Sequence, residues 1–272
     1  MSNIKLIAID VDGTLLDSKH QLTQPVIDAI TEARSKGIYV VIATGRPLPG
    51  IKPFLEQLNY NSPNEYAITY NGSLVQEIAT GKALVQYELS KDDYAYVDQV
   101  TRDFGTYYHA IDADHIYTSL EDMSWYTSRE SYLVRMPIRY RALEAIPDDK
   151  NFTKMMVIDT KEGLDAFIAS LDDTFTTRFN TLRSEDYYLE ILNPKASKGH
   201  ALKSLAEHLG LEPDEVMALG DNENDLDMIQ YAGYGVAMAN SNPIVLKEAN
   251  FITGSNDEAG VAQAIRKFAL EE

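Results

Sequence analysis

An α/β fold interrupted by an inserted α+β domain is what this sequence predicts. Two apolar runs, Ile4–Asp10 and Gly37–Thr44, flank one helix-patterned stretch, which makes a βαβ unit and hence a parallel sheet covered on both faces. The same alternation of strand and helix returns after residue 193. Between residues 84 and 192 several strands follow one another without a helix, the pattern of an antiparallel sheet with helices on one face.

The elements follow in order. The run Ile4–Asp10 reads as a buried strand ending in acidic residues. The next stretch has Thr23 as N-cap, Pro25 near the first helical position, Val26, Ile27, Ile30 and Ala33 on one face, and Gly37 as its stop. Strands are then expected over LVQYEL (84–89), YYHAI (107–111), HIYTSL (115–120), KMMVID (154–159), FTTRFNTL (175–182) and DYYLEIL (186–192). A helix over 91–104 carries Ser90 and Asp93 as a capping box, a less regular Tyr-rich stretch follows residue 120, and a further helix spans 163–171. The return to the first domain brings a helix from Lys198 to Leu209 stopped by Gly210, a strand Val216–Leu219, and a helix from about Asn224 to Tyr231. A strand Tyr234–Ala237, a helix after Pro243, a short strand at FIT and a last helix from about Glu258 complete it. The expected division is a doubly wound, mostly parallel, Rossmann-like core over 1–83 and 193–272, with 84–192 inserted.

Composition limits the function classes. At about 150 residues per domain, a chain of 272 residues with 44% apolar and 24% charged side chains is a globular protein of two domains. Its 42 acidic against 24 basic residues leave a formal charge of −18, which repels phosphate backbones and anionic membranes, so neither nucleic acid nor a membrane is an expected partner. The absence of cysteine removes thiolate catalysis, iron–sulfur clusters and disulfides. The opening MSNIKLIAID has no signal-peptide pattern and no apolar run approaches the ~20 residues of a membrane span, so a cytoplasmic location is expected.

Chemistry-bearing residues gather at strand ends. Asp10 and Asp12 stand two apart, so both carboxylates can face the crevice beyond the first strand. Alone, the pair reads more readily as one N-cap or turn former before Gly13. A calcium loop is excluded, because the sixth position is Leu15 counting from Asp10 and Leu226 counting from Asp221, where that loop needs Gly. The segment GDNENDLDM places Asp221 and Asp225 beside Asn222 and Asn224 after the strand VMAL, on the same rim of a parallel sheet. Several carboxylates on one rim repel unless a cation joins them, and an all-oxygen set suits Mg²⁺. Thr44 and Gly45 end the second strand, where they read by themselves as a common turn and, beside the acids, as a small anion cradle. Lys198 opens a helix, where the dipole disfavours a cation; this suggests an anionic partner, the alternative being a solvated lysine with Ser197 as the cap. The five histidines show no metal-ligand spacing.

The ordered set DVDGT, VVIATGR, Lys198 and GDNEND resembles the four motifs of the haloacid dehalogenase-like hydrolases. The insertion after the second motif is similar to the α+β cap of the Cof-type branch, and TYNGSLV and the GVAMANSNPIVLKEANFIT tail extend the resemblance toward bacterial sugar phosphatases. The resemblance implies Mg²⁺-dependent hydrolysis of a small phosphorylated metabolite through an aspartyl-phosphate, by a monomer or homodimer. It implies Asp10 as nucleophile and Asp12 as acid and base, with Thr44, Gly45, Lys198 and Asn224 on the phosphate. Mg²⁺ would be held by Asp10, the carbonyl of Asp12 and Asp221, with Asp225 behind them. The insertion would select the leaving group; a phosphomutase or phosphotransferase, or a non-catalytic phosphometabolite-binding module, would use the same scaffold.

Overall fold

The computed structural model describes residues 3–270. Its first segment holds β1 (Leu6–Ile9), α1 (Gln24–Ser35), β2 (Tyr39–Ala43), α2 (Leu48–Gln57), β3 (Tyr66–Thr69), β4 (Leu74–Glu77) and β5 (Ala83–Gln86). The middle holds α3 (Lys91–Phe104), β6 (Tyr107–Ile111), β7 (Ile116–Thr118), α4 (Trp125–Val134), β8 (Ile138–Tyr140), β9 (Lys154–Ile158), α5 (Lys161–Ser170), α6 (Asp173–Arg178), β10 (Asn180–Glu185) and β11 (Tyr188–Leu192). The last segment holds α7 (Lys198–Leu209), β12 (Val216–Gly220), α8 (Leu226–Tyr231), β13 (Tyr234–Ala237), α9 (Pro243–Glu248), β14 (Phe251–Ile252) and α10 (Gly260–Ala264). Two compact units result, Met1–Val85 with Ser197–Glu272, and Gln86–Ala196. No described helix is long and apolar enough to cross a membrane.

The first unit is built on a sheet of order β14-β13-β12-β1-β2-β3-β4-β5. β1 lies between β2 and β12 and is parallel to both, whereas β4 returns antiparallel to β3. Residue alternation explains the two apolar layers. Leu6, Ala8, Val41, Ala43, Val216 and Ala218 pack on α7, while Ile7, Ile9, Val40, Ile42, Met217 and Leu219 pack with residues of α1 and α10. Strands buried on both faces must be apolar throughout, which is why β1 and β2 read as unbroken runs. Val26, Ala29, Ile30 and Ala33 form the buried stripe of α1. Thr23 stands at its N-cap but makes no side-chain cap bond, so the fixed φ of Pro25 in the first turn does more to start this helix.

Several sequence expectations need correction. The strand expected over 84–89 is β5, which lies at the edge of the first sheet. Half of the strand expected over 175–182 is the helix α6, because Asp172 caps the Phe175 N–H at 2.9 Å and Phe175 and Phe179 turn into an apolar cluster. The Tyr-rich stretch contains α4 and β8, and β8 runs parallel to β7 inside an otherwise antiparallel sheet. The helix α4 escaped the periodicity argument because its buried residues are Thr127, Glu130 and Val134, which carry almost no apolar pattern.

The sheet of the second unit has the order β10-β11-β9-β6-β7-β8. One face carries Tyr108, Ala110, Met155, Val157, Leu189 and Ile191 into a core shared with α3, α5 and α6. The capping box of α3 forms as expected, Ser90 accepting from the Asp93 N–H and Asp93 from the Ser90 N–H. Alternation sends His109, Lys154 and Glu190 to the opposite face, where Lys154 donates to Glu190 at 3.1 Å and stands 4.0 Å from Glu130 of α4. His109 Nδ1 meets the Thr127 hydroxyl at 3.3 Å, and its buried Nε2 has no hydrogen-bond partner among the described residues.

Burial, with the Lys154 charge adding to it, pushes the His109 imidazole down to about 3. The unfolded chain takes up that proton near 6.5, so between pH 6.5 and 3 the unfolded state binds more protons than the fold. The contribution of a neutral His109 to stability is therefore intact above pH 6.5 and drains away as the pH falls toward 3, at up to about 1.4 kcal/mol per pH unit. Urea unfolding of wild type and His109→Leu between pH 6.5 and 4 checks this: the wild type should lose stability more steeply. Parallel slopes would place the acid sensitivity elsewhere.

Candidate active site

The chain leaves β1 in one direction through β2 to β3 and reaches β12, on the other side of β1, only after the second unit. The gap beyond β1 and β12 is thus a topological switch point, where open α/β sheets leave a crevice at the carboxyl ends of their strands. Asp10 stands there, 6% exposed, its N–H donating to the Leu219 carbonyl at 3.0 Å.

The DVDGT segment then turns back tightly, Leu15 N–H donating to the Asp10 carbonyl at 3.0 Å. Gly13 takes φ +84°, and a Cβ there would lie 2.5 Å from an Asp221 carboxylate oxygen. Glycine is required on both counts, by backbone conformation and by the close approach of the carboxylate. The Thr14 hydroxyl donates to Asp221 Oδ1 at 2.7 Å.

From the other side, Lys198 projects from the first turn of α7 and is 1% exposed. Its ammonium donates to Asp10 Oδ1 at 2.5 Å and to Asp225 Oδ1 at 2.6 Å. Asp225, fully buried, accepts the N–H groups of Asp221 and Asn222 on Oδ2, at 3.0 and 3.1 Å. The anionic neighbour that Lys198 needs is therefore a pair of carboxylates. Burial by itself would lower the Lys198 ammonium, but the charges of Asp10 and Asp225 outweigh it and hold the group above its ordinary value.

The acids carry more negative charge than one lysine neutralises. Burial, followed by the charge of Asp225, raises Asp10 well above the usual carboxylate range against the pull of Lys198. Burial also pushes Asp221 up to about 6, the Thr14 hydrogen bond opposing it and Asp225 adding to it. Carboxylate oxygens of Asp10, Asp221 and Asp225 lie within 4.8 Å of one another. An all-oxygen donor set with unbalanced negative charge fits a hard divalent cation. Both Asp225 oxygens already accept hydrogen bonds, which leaves Asp10 and Asp221 as the freer donors.

A second cluster lies on the ends of β2 and β3. Thr44 is 1% exposed, and its carbonyl accepts the Asn71 N–H at 3.0 Å. Asn71 sits in the left-handed region at φ +53°, between Tyr70 and Gly72, which also have positive φ. A Cβ on Gly45 would lie 2.9 Å from the Asn71 side chain, and the Asn224 amide donates to Asn71 Oδ1 at 3.1 Å. Asn71 thereby ties the Thr44–Gly45 turn to the GDNEND loop. Gly72, at φ +90°, packs against the carbonyl of Ser197, the residue before Lys198, so closely that a side chain there would collide.

Asp12 follows a different course from Asp10. Its side chain is 49% exposed and is gripped by Arg46, whose Nη2 and Nε donate to Oδ1 and Oδ2 at 2.5 and 2.9 Å. Asp10, Asp221, Asp225 and Lys198 thus form one cluster, Thr44, Gly45 and Asn224 meet around Asn71, and Asp12 is joined to the second strand end by Arg46. Sequence reasoning gave no role to Thr14, Arg46 or Asn71. The Asn71-Gly72 dipeptide and the arginine directly after Thr44-Gly45 were the signals available for the last two.

Comparison with known proteins gives the family. A profile described as haloacid dehalogenase-like hydrolase matches residues 7–265. The chain is 42% identical to a Bacillus subtilis (strain 168) protein named "Putative phosphatase YxeH", over 98% of each chain. It is 32% identical to the 5-amino-6-(5-phospho-D-ribitylamino)uracil phosphatase YcsE of the same organism, over 98% of this chain and 97% of the other. A solved haloacid dehalogenase-like hydrolase from Bacteroides thetaiotaomicron superposes with a TM-score of 0.84 at 31% identity, covering 97% of this chain and 99% of that one.

Proposed function

The chain belongs to the haloacid dehalogenase-like hydrolase family, Cof-type branch, and is a phosphoric monoester hydrolase; from that premise we propose that it hydrolyses sugar phosphates through a phosphorylated Asp10. The observation that carries the mechanism is the buried Asp10 carboxylate at the switch point, hydrogen-bonded by Lys198 on Oδ1 only and close to Asp221. Asp10 attacks phosphorus in line, the ester oxygen leaves, and Asp12 gives that oxygen a proton. In the second half, water attacks the aspartyl-phosphate and Asp12 takes the proton back. Lys198, Thr44, Gly45 and Asn224 bind phosphoryl oxygens that gain charge in the transition state, and Asp225 orients Lys198. Asp10, Asp221 and the carbonyl of Asp12 would hold Mg²⁺, which supplies the positive charge that lets an anionic nucleophile approach an anionic ester.

The residues of the first unit handle phosphate and nucleophile, which are common to every ester. Selection falls to groups that meet the leaving group, and we assign that task to the Gln86–Ala196 unit as a cap. Its polar and aromatic side chains suit a hydroxyl-rich group, and the name of the YcsE relative specifies a phosphate on a ribityl chain, a polyol. We place the protein in the cytoplasm, consistent with the absence of cysteine.

The test is turnover of p-nitrophenyl phosphate and of a panel of sugar, nucleotide and cofactor phosphates, with and without EDTA. Chelation is expected to abolish activity and Mg²⁺ to restore it, with pentose or hexose phosphates among the best substrates. Activity that survives exhaustive chelation would remove the metal from the mechanism. Inert sugar phosphates beside a rapidly hydrolysed nucleotide would overturn the substrate class alone.

A further inference from the structure

Arg46 engages both carboxylate oxygens of Asp12. A carboxylate offers about four lone-pair positions. Arg46 occupies one on each oxygen, and among the described residues no other group donates to Asp12. Held in this way, Asp12 is an acceptor at both oxygens, with positions left over for a water proton. The pose suits a base that takes a proton from water; to give one to a leaving group, the protonated oxygen must first release its Arg46 donor.

Arg46 is itself well anchored. Its N–H donates to the Thr44 hydroxyl at 3.1 Å, its carbonyl accepts the Tyr70 N–H at 3.3 Å, and its guanidinium lies 5.8 Å from the Phe54 ring centre. The side chain that aims Asp12 therefore grows from the turn that cradles phosphate. Asp12, half-exposed and without another donor, would rotate freely if Arg46 were removed.

We propose that Arg46 is a positioning residue for the hydrolysis of phosphorylated Asp10, holding the Asp12 carboxylate where it accepts a proton from the attacking water. This rests on the phosphatase reading above. In the step, the water oxygen bonds to phosphorus and its proton passes to Asp12. The bond between phosphorus and the Asp10 oxygen breaks, and its electron pair returns to the Asp10 carboxylate. Inorganic phosphate departs, and the proton on Asp12 goes to the next leaving alkoxide or to solvent.

Rapid-mixing kinetics with p-nitrophenyl phosphate and saturating Mg²⁺ tests the assignment, because nitrophenolate needs no proton to leave and formation of phosphorylated Asp10 should proceed without Arg46. In Arg46→Ala, a burst of close to one nitrophenolate per enzyme is expected at the wild-type rate constant. A steady rate about 100-fold below wild type should follow it, the scale of a reacting group misplaced by about 1 Å. Arg46→Lys, which keeps the charge but not the two-pronged grip, should recover part of the steady rate. In an Asp12→Ala background, Arg46→Ala should change nothing further. A slowed burst, a raised KM with unchanged kcat, or an added loss in the Asp12→Ala background would each overturn the proposal, because Arg46 would then act on the ester or on the first half. An inactive wild type would overturn the phosphatase reading, and this proposal with it.

Discussion

Asp10→Asn is expected to yield a folded protein whose turnover falls by a factor on the order of 10⁴ or more, the scale seen when a covalent nucleophile is removed. An amide is a poor nucleophile and a weak ligand for a hard cation. The fold should not suffer, because burial and the Asp225 charge already disfavour the ionised Asp10 carboxylate. A neutral isostere relieves that repulsion and still offers Lys198 an acceptor. Circular dichroism and a thermal melt should therefore show a midpoint equal to or above that of wild type, while hydrolysis of p-nitrophenyl phosphate disappears. A well-folded Asp10→Asn protein with kcat near wild type would end the aspartyl-phosphate mechanism.

Lys198→Met should cost both stability and activity. The substitution keeps most of the side-chain volume and removes the one cation bonded to both Asp10 and Asp225, which leaves two buried carboxylates facing each other. Breaking a buried ion pair by deleting one partner costs about 3–5 kcal/mol, and for a chain of this size each kcal/mol is worth about 2–4 °C of melting temperature. A fall of roughly 10 °C is therefore expected, with turnover lost because the phosphoryl oxygens lose their ammonium donor. The contrast between the two variants is informative: Asp10→Asn removes chemistry from an intact fold, and Lys198→Met damages both. An unchanged midpoint in Lys198→Met would mean that the acids shed their charge at no cost.

The sequence made the first unit legible where burial leaves little choice. β1, β2 and β12 are covered on both faces, so their residues had to be apolar, and the acids at their ends stand out against that background. The positions of Asp10, Thr44 and Asp221 on one rim followed from parallel strands alone. The second unit was less legible, because α4 buries Thr127 and Glu130, and α6 holds three threonines and a phenylalanine, types that favour strands. Arg46 and Asn71 were hidden for another reason. Each is hydrogen-bonded to a partner on a different loop, Asp12 for one and Asn224 for the other, and no spacing within a single segment announces such a pairing.

The sheet order has a consequence for how the protein is made. Asp10 and Lys198 are separated by 188 positions, and β12, the neighbour of β1, follows Lys198. At roughly 5–20 residues per second, a ribosome takes about 10–40 s to bring out the lysine after the aspartate. During that interval β1 has one sheet edge open and its terminal carboxylate lacks its cation. The Gln86–Ala196 unit is contiguous and emerges whole within the gap, so it can fold while the first unit waits. A chain stopped between Ala196 and β12 can therefore hold a complete middle unit while Asp10 still lacks β12 and the Asp221–Asp225 loop beside it.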